Sequence, residues 1–205
     1  MLKLYHAPGS CSLAPHIVLA EAGASYELVQ VDLAAGQQRD PEYLRVNPKG
    51  RVPALVTPDG VLTETPAILG YISAIHPAAG LMPTSAYDAA RCQSFNSYFC
   101  STVHIAHAHR MRGTRWADEP EAIAAMQRKV PQTMFESLQL IEEVLAAGPW
   151  MLGTTYSVCD PYLFRVATWA EGDGVDLERL PRILDHRRRM VERPGVRRAF
   201  AEGAA

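Results

Sequence analysis

The signals for β-strands end before residue 66, and every later signal is helical. Short runs of alternating apolar residues occur at "LKLYHA", "SYELVQVDL" and "VPALVTPDGVLTET", and such alternation is typical of strands. From residue 87 onward, apolar residues recur at intervals of three and four, the period of an amphipathic helix. This division constrains the fold more than any other feature: a small α/β unit comes first, and an all-helical unit follows it.

The first unit reads as strand, helix, strand, short helix, two strands and helix (βαβαββα) over residues 1–76. A strand–helix–strand unit places its two strands parallel. Asp59-Gly60 separates the last two strands, and this dipeptide is typical of tight hairpins, which are antiparallel. In the first helix, Pro15 falls in the first turn, where its missing N–H costs little, and Gly23 ends the helix.

A segment rich in proline and glycine, "HPAAGLMPTSAY", separates the two units and is the best candidate for a linker. We therefore predict a first domain at residues 1–77, a linker at 78–86 and an all-α domain at 87–205. In the second domain, helical patterns run from about residue 87 to 116 and from about 119 to 147. A third begins near Ser157, and an arginine-rich helix begins near Pro181.

Charge and cysteine content narrow the partners and the compartment. The net charge of −2 gives no reason to expect nucleic acid or an anionic membrane, and the arginine-rich segment is interleaved with acids, as on a solvated helix face. No apolar run reaches the length of a membrane span, and the N-terminal residues lack the apolar core of a signal peptide. The four cysteines show no zinc-type spacing. We expect a cytoplasmic protein without a metal site.

Cys11 lies between two serines, directly before the first predicted helix, in "PGSCSLAPHIVLAEAG". The N–H groups and partial positive charge of a helix N-terminus favour a thiolate, the nucleophilic form of cysteine. Ser10 and Ser12 can donate further hydrogen bonds to that thiolate or to the thiol of a ligand. Position alone is also compatible with a second interpretation, in which Cys11 is a small, inert residue at a helix start.

Two further segments are suited to binding a peptide-like ligand. Val52-Pro53 stands at the entry of a strand, where a cis bond would leave the N–H and C=O of Val52 free to pair with a ligand backbone. Sequence alone favours the trans bond. Glu64-Thr65 directly precedes the next helix, and the N–H groups of a helix start can bind a carboxylate. The alternative is that Thr65 is a plain N-cap.

Together these segments resemble the glutathione transferase superfamily. The cysteine segment, "VNPKGRVPAL" and "TETPAI" follow the family's order and spacing, and a cysteine at this position is similar in particular to the bacterial beta class. "YSVCDPYLFRVATWA" resembles the family's buried capping box, in which Ser157 is the N-cap and Asp160 the acid three residues later. The resemblance covers nearly the whole chain. It implies a thioredoxin-like N-terminal domain, an all-helical C-terminal domain and a homodimer.

The resemblance also implies glutathione as the co-substrate and assigns residues to it. Val52, with Pro53 cis, pairs with the cysteinyl backbone of glutathione. Glu64 and Thr65 bind its γ-glutamyl end. The glycyl carboxylate has no lysine after the second strand, where beta-class relatives often have one. Because this stretch reads "AAGQQ", we assign the role to Gln37.

Other residues could bind the glycyl carboxylate in place of the missing lysine: Gln38, or Lys49 or Arg51 from another part of the chain. Relatives also often have lysine where this chain has Ile105. Both changes remove positive charge from around an anionic peptide. Losing one charge-assisted hydrogen bond costs on the order of 1.5–3 kcal/mol, so these departures predict weak glutathione binding.

Three residues are the catalytic candidates. By the resemblance, Cys11 lies near the glutathione sulfur, where it forms a mixed disulfide, and His104 in "STVH" is a hydrogen-bond donor or acid near that sulfur. Ser10 is the third, since its hydroxyl can support a thiolate. Tyr5 and His16 are interpreted as packing residues.

Other residues of the long helix receive less specific interpretations. Cys100, His104 and His107 share one helix face, a spacing that suits zinc, but the family resemblance explains the histidines without a metal. The arginines that follow are interpreted as surface or interface residues: Arg110, Arg112 and Arg115. For the second-substrate pocket we expect generic apolar side chains: Ala7, Phe99, Val103 and Met111.

The predicted function is a glutathione S-transferase. It would conjugate glutathione with small apolar electrophiles or exchange its thiol with disulfides. The alternative, motivated by the missing basic residues, is a protein of the same fold that binds glutathione or apolar ligands without turnover.

Overall fold

The computed structural model describes residues 1–204, and its four β-strands all precede residue 64. They form one sheet in the order β2-β1-β3-β4, in which β1 pairs parallel with β2 and antiparallel with β3, and β3 pairs antiparallel with β4. The predicted parallel pair and hairpin are therefore confirmed. The strands are β1 Leu2–His6, β2 Tyr26–Gln30, β3 Ala54–Thr57 and β4 Gly60–Thr63.

Three helices accompany the sheet and complete a thioredoxin-like N-terminal half. They are α1 Leu13–Glu21, α2 Pro41–Val46 and α3 Thr65–Ile75. α1 is buried along most of its length because it packs between α3 on one side and helices of the C-terminal half on the other. Along β1, Leu2, Leu4 and His6 are buried while the residues between them are half-buried, as expected for period-two alternation.

Helix α1 ends at the glycine that the sequence predicts. Gly23 has φ +63°, a left-handed conformation that glycine adopts without steric cost. The N–H of Ala24 donates to the carbonyl of Leu19 (3.0 Å) and that of Gly23 to Ala20 (3.2 Å). This is the hydrogen-bond pattern that terminates many helices, and it turns the chain toward β2.

The remainder of the described chain is helical, apart from two isolated β-bridges near residue 150. Within residues 1–204, no helix combines the length and the apolar character that crossing a membrane requires. The helices of this half are α4 Ala86–Tyr98, α5 His104–Met111, α6 Pro120–Val144, α7 Cys159–Ala167, α8 Pro181–Glu192 and α9 Pro194–Ala201.

Two helices that the sequence pattern predicts as continuous are interrupted. Residues Phe99–Val103 are π-helical and join α4 to α5, and such segments shift the face that the following residues present. α5 ends at Met111, short of the predicted residue 116. The arginine-rich pattern is divided between α8 and α9, because Pro194 has no N–H and the residue before it, Arg193, is extended.

A capping arrangement fixes α7 inside the protein. The side chain of Asp160 accepts hydrogen bonds from the N–H of Ser157 (2.8 Å), the N–H of Met151 (2.9 Å) and Nε2 of His186 (3.1 Å). The N-cap of α7 is Val158 rather than the predicted Ser157, and the hydroxyl of Ser157 accepts from the N–H of Cys159 (3.4 Å) rather than from that of Asp160. Of the predicted capping box, the contact from the Ser157 N–H to the Asp160 carboxylate is therefore present and the serine cap is not. α7 is thereby held against the core, next to the cleft described below.

One apolar core joins the two halves of the chain. Leu4 and Leu55 of the sheet belong to the same buried cluster as Phe99 and Tyr162 of the helical half. Burial of this size dominates the stability of a protein of this length. The halves therefore hold each other in fixed positions, which sets the width of the cleft between them.

Candidate active site

A cavity of about 620 Å³ lies between the loops at one end of the sheet and helix α5. Because β3 runs antiparallel to β1 and to β4, the end of β1, the start of β3 and the start of α3 all meet at this edge. Seven of the eight predicted site residues line the cavity: Ser10, Cys11, Val52, Pro53, Glu64, Thr65 and His104.

The thiol of Cys11 lies in a loop that precedes α1. Its side chain is 7% exposed, and its Sγ donates a hydrogen bond to the carbonyl oxygen of Val52, 3.5 Å away. Ser10 Oγ donates to the carbonyl of Ala7 (2.8 Å), and the Ala7 N–H donates to Ser12 Oγ (3.1 Å). The two serines thus hold the loop, and the Ser10 hydroxyl hydrogen points at the loop backbone rather than at the thiol.

The electrostatics of Cys11 differ from the expectation of a helix-activated thiol. Burial raises the pKa of the Cys11 thiol above its ordinary value, while a contact with Thr65 and the charges of Arg112 and Arg165 offset part of that rise. Cys11 comes two residues before the first residue of α1, where the helix-terminus effect has weakened. This direction is opposite to the one expected at a helix N-terminus: burial favours the protonated thiol, and the nearby cations Arg112 and Arg165 favour the thiolate.

The segment before β3 has the backbone that the family resemblance implies. The Val52–Pro53 peptide bond is cis. The carbonyl of Arg51 accepts hydrogen bonds from Tyr43 Oη (2.6 Å) and Asn47 Nδ2 (2.6 Å), so α2 fixes this segment. Within residues 1–204 the N–H of Val52 makes no hydrogen bond, which leaves it available to a ligand.

Glu64 and Thr65 form the junction between β4 and α3. Glu64 has φ +72° and is the only non-glycine residue with positive φ in the described chain; backbone of this kind costs on the order of 1–3 kcal/mol and collects at functional sites. α3 begins at Thr65, so Thr65 is its first residue and not the predicted N-cap. Lys49 Nζ donates to Glu64 Oε1 (2.6 Å) and to Thr63 Oγ1 (2.9 Å).

Gln37 is the one predicted site residue that the structure does not bring to the cavity. Its Oε1 accepts a hydrogen bond from the N–H of Asp32 (2.8 Å), which turns the side chain away. Gln38 lines the cavity instead, and its buried Oε1 has no partner within residues 1–204. Gly50 allows this approach, since a Cβ there would lie 2.8 Å from the Gln38 carbonyl oxygen.

His104 lies at the start of α5 and faces the cavity. Burial, with smaller contributions from nearby cations led by Arg112, lowers the pKa of His104 to about 3. The imidazole is therefore neutral at physiological pH and can donate one hydrogen bond, whereas the role of an acid needs a second ring proton that burial disfavours. Its ring lies 4.9 Å from that of Trp169, on which His107 stacks at 4.2 Å with nearly parallel planes.

A basic lining is the main feature that the sequence analysis missed. Among the lining residues, five are basic and only Glu64 is acidic. The sequence spacing could have indicated two of these residues. Arg112 and Arg115 fall on the same helix face as His104, because positions 104, 108, 112 and 115 follow one face of a helix. The basic residues are Arg39, Lys49, Arg51, Arg112 and Arg115.

The apolar lining also differs from the prediction. Of the four residues expected to form a second-substrate pocket, Met111 lines the cavity, whereas Ala7, Phe99 and Val103 are buried in the protein core. The π-helical segment turns the last two inward. No group of three His, Cys, Asp or Glu side chains in the described part of the chain is arranged to hold a metal ion.

Arg165 and Trp169, from α7 and the residues after it, hold the cysteine loop from behind. Both donate to the carbonyl of Gly9: Trp169 through Nε1 at 3.2 Å and Arg165 through its guanidinium. Arg165 is 9% exposed and makes no ion pair within residues 1–204. Burial lowers its pKa to about 10, so the guanidinium stays charged near Cys11 at neutral pH. No motif in the sequence pointed to a role for this arginine.

Comparison with known proteins identifies the family. Residues 1–74 match the family model "Glutathione S-transferase, N-terminal domain". A glutathione S-transferase of Escherichia coli O157:H7 is 35% identical over 206 residues, which cover 98% of this chain and 99% of the relative. The chain therefore belongs to the glutathione S-transferase family.

Solved structures agree over the whole chain. A glutathione transferase homologue from Sulfitobacter, solved with bound glutathione, is 44% identical with a TM-score of 0.97, covering 100% of this chain and 99% of its own. A bacterial beta class glutathione S-transferase from Sphingomonas chungbukensis is 34% identical with a TM-score of 0.85, covering 99% and 100%. Similarity to the bacterial beta class, implied by the cysteine position, is thereby supported.

Proposed function

We propose that this glutathione transferase binds its co-substrate along the wall formed by Val52, Glu64 and Thr65, with the glutathione sulfur beside Cys11. The observation that carries the proposal is that one cavity joins a thiol, an unpaired backbone N–H and a helix start at the same edge of the sheet. Because the Val52 carbonyl lies 3.5 Å from Cys11 Sγ, a peptide paired with Val52 places its own thiol next to Cys11.

The two ends of glutathione then meet groups of suitable charge. Its γ-glutamyl carboxylate binds the N–H groups at the start of α3 and the Thr65 hydroxyl, and its ammonium pairs with Glu64. Its glycyl carboxylate binds at Gln38 with Arg39. Arg39 thus takes the place of the lysine that the stretch "AAGQQ" lacks, which weakens the case for a carrier without turnover.

In conjugation, the glutathione thiolate attacks an electrophilic carbon. A C–S bond forms, the leaving group departs with the bonding electron pair, and the thiol proton passes to solvent. Arg112 and Arg165 stabilise the thiolate by their charge, and neutral His104 donates a hydrogen bond near the sulfur.

In disulfide exchange, the Cys11 thiolate attacks a glutathione sulfur in a disulfide that contains glutathione, such as glutathione disulfide. The S–S bond breaks and the other sulfur leaves as a thiolate, so Cys11 is joined to glutathione in a mixed disulfide. The supporting role predicted for Ser10 is positional, since its hydroxyl fixes the loop that carries Cys11.

The test is steady-state conjugation of glutathione with 1-chloro-2,4-dinitrobenzene. We expect multiple turnovers by the wild type. Thr65→Ala should raise the KM for glutathione by about tenfold, the effect of losing one charge-assisted hydrogen bond. Asp59→Asn, in the exposed hairpin turn, is the control and should leave that KM unchanged. Absence of turnover, or an unchanged KM in Thr65→Ala, contradicts the proposal.

Assembly, compartment and domain division complete the proposal: a cytoplasmic homodimer that acts in detoxification, with domains at 1–77 and 87–205 and a linker at 78–86. The exposed apolar side chains Tyr87 and Leu140, 75% and 54% exposed in the single chain, support an interface on the helical half. Sedimentation velocity should give the mass of a dimer, and a monomer at micromolar concentration would contradict it.

A further inference from the structure

The cavity holds an excess of positive charge that its own side chains leave uncompensated. Of its five basic residues, Lys49 pairs with Glu64. The guanidinium groups of Arg39, Arg51, Arg112 and Arg115 make no hydrogen bond or ion pair with any of residues 1–204. Arg112 is half-buried, whereas Arg39, Arg51 and Arg115 are exposed. Solvent screens part of their mutual repulsion, and an anionic ligand in the cavity would offset the rest.

The four arginines are close enough to act on one another. Burial lowers the pKa of Arg112, and the charge of Arg51 lowers it further. Burial also lowers the pKa of Arg115, with additional lowering by Arg112, Arg51 and Arg39. Arg112 in turn acts on the thiol of Cys11. The positive charge therefore extends from the rim of the cavity to the reaction centre.

Glutathione alone does not account for this charge. Its two carboxylates are assigned to the start of α3 and to Gln38 and Arg39 on the same side of the cavity. Arg112 and Arg115 belong to the opposite wall, directly after α5, which is the side left for the second substrate. A pocket for purely apolar electrophiles would gain nothing from two unpaired guanidinium groups there, and burying part of Arg112 would cost free energy.

The same wall also presents planar ring surface. His104 and His107 are half-buried and face the cavity, and both rings lie against that of Trp169, which is itself only 8% exposed. Met111, 76% exposed in the single chain, borders the cavity beside them. Planar rings and a flexible thioether suit a planar unsaturated ligand.

We propose that the second substrate is an anionic electrophile: a planar unsaturated body that carries a carboxylate or another oxyanion, held by Arg112 and Arg115 and laid against the rings of His104 and His107. The proposal rests on the function proposed above and narrows its substrate class. It replaces the expectation of an uncharged apolar electrophile.

The test measures binding of two unreactive ligands that differ only in charge, 3-nitrobenzoate and 3-nitrobenzamide, to protein saturated with S-methylglutathione. We expect the wild type to bind the benzoate about tenfold more tightly, as charge-assisted hydrogen bonds to arginine predict. In the double variant Arg112→Gln/Arg115→Gln this preference should fall to less than about threefold, with benzamide affinity unchanged.

The control is Arg128→Gln/Arg188→Gln, which removes the same charge from two exposed arginines outside the cavity and should keep the benzoate preference. Equal binding of the two ligands by the wild type, or a preference that survives in Arg112→Gln/Arg115→Gln, overturns the proposal. Binding of S-methylglutathione is recorded separately. If it fails, the glutathione site is wrong, and the comparison of the two ligands on the free protein still decides whether the anion site exists.

Discussion

The thiol of Cys11 donates to the carbonyl oxygen of Val52 at 3.5 Å, across 41 residues of sequence. This contact joins the loop after β1 to the segment before β3, the two places where the sequence pattern indicates ligand chemistry. Because of this contact, a peptide whose backbone pairs with Val52 places its own thiol next to Cys11.

Replacing Cys11 should separate the two reactions proposed for the site. Cys11→Ala removes the nucleophile for disulfide exchange, so incubation with glutathione disulfide should no longer add a glutathionyl group in the intact-protein mass spectrum. Conjugation should persist, because it uses the thiol of glutathione. Cys100→Ser is the matched control, since Cys100 lines the same cavity, and it should keep the adduct. An undiminished adduct in Cys11→Ala would refute the assignment.

The reactivity of Cys11 should depend on Arg165. Because burial raises the pKa of the Cys11 thiol and Arg165 offsets part of that rise, Arg165→Gln should slow alkylation of Cys11 by iodoacetamide at pH 8. A change of half a pKa unit corresponds to roughly a threefold lower rate. In the wild type the rate should keep rising through pH 9, as the protonated thiol loses its proton.

Arg165→Lys keeps the charge and should restore most of the alkylation rate, which a purely structural role of Arg165 would not explain. The measurement is peptide mass spectrometry at Cys11 over time. Equal rates in the wild type and Arg165→Gln, or a wild-type rate that levels off below pH 7, would contradict the role given to this arginine.

The buried imidazole of His104 should make the protein sensitive to acid. Its pKa is about 3 in the folded protein, against 6.5 for an unperturbed histidine. The unfolded chain therefore takes up a proton below pH 6.5 that the folded protein does not, and stability present above pH 6.5 is lost as the pH falls. His104→Gln should reduce the fall between pH 6.5 and 5 by up to roughly 1 kcal/mol per pH unit. Urea unfolding measures this, and identical pH dependence in both proteins would contradict it.

Charge on the electrophile should appear in the kinetics. For two electrophiles, 4-chloro-3-nitrobenzoate and 4-chloro-3-nitrobenzamide, kcat/KM is divided by the rate constant of the uncatalysed reaction with glutathione. We expect this ratio to be about tenfold higher for the benzoate. Raising the ionic strength should shrink this advantage, because salt screens the arginines. An advantage for the amide, or one that does not respond to salt, would count against an anionic substrate.

Local sequence signals predicted much of the fold because each was short-range and physically specific. The dipeptide Asp59-Gly60 marked the hairpin, Gly23 ended α1, and period-two alternation located the strands. The lining role of Cys11 and Glu64 followed from the order of motifs. These features depend on few neighbours, so a linear pattern contains them.

The features that the sequence did not predict depend on tertiary packing. Whether Gln37 or Gln38 faces the cavity depends on how one turn is oriented. From the sequence we assigned Gln37, and the residue that lines the cavity is its neighbour Gln38. The pKa of Cys11 depends on its burial, which no local pattern reports. Arg112 and Arg115 were interpreted as surface or interface residues; that they line the cavity depends on the position of α5 over the cleft, which a linear pattern does not contain.

The most direct test of the glutathione site is a calorimetric titration of the reduced protein with glutathione. The wild type should bind it with a dissociation constant in the millimolar range or tighter, and Glu64→Gln should weaken that binding by about tenfold through loss of the ammonium partner. No heat of binding in the wild type, or undiminished affinity in Glu64→Gln, would contradict the site built here from Cys11, Val52, Glu64 and Thr65.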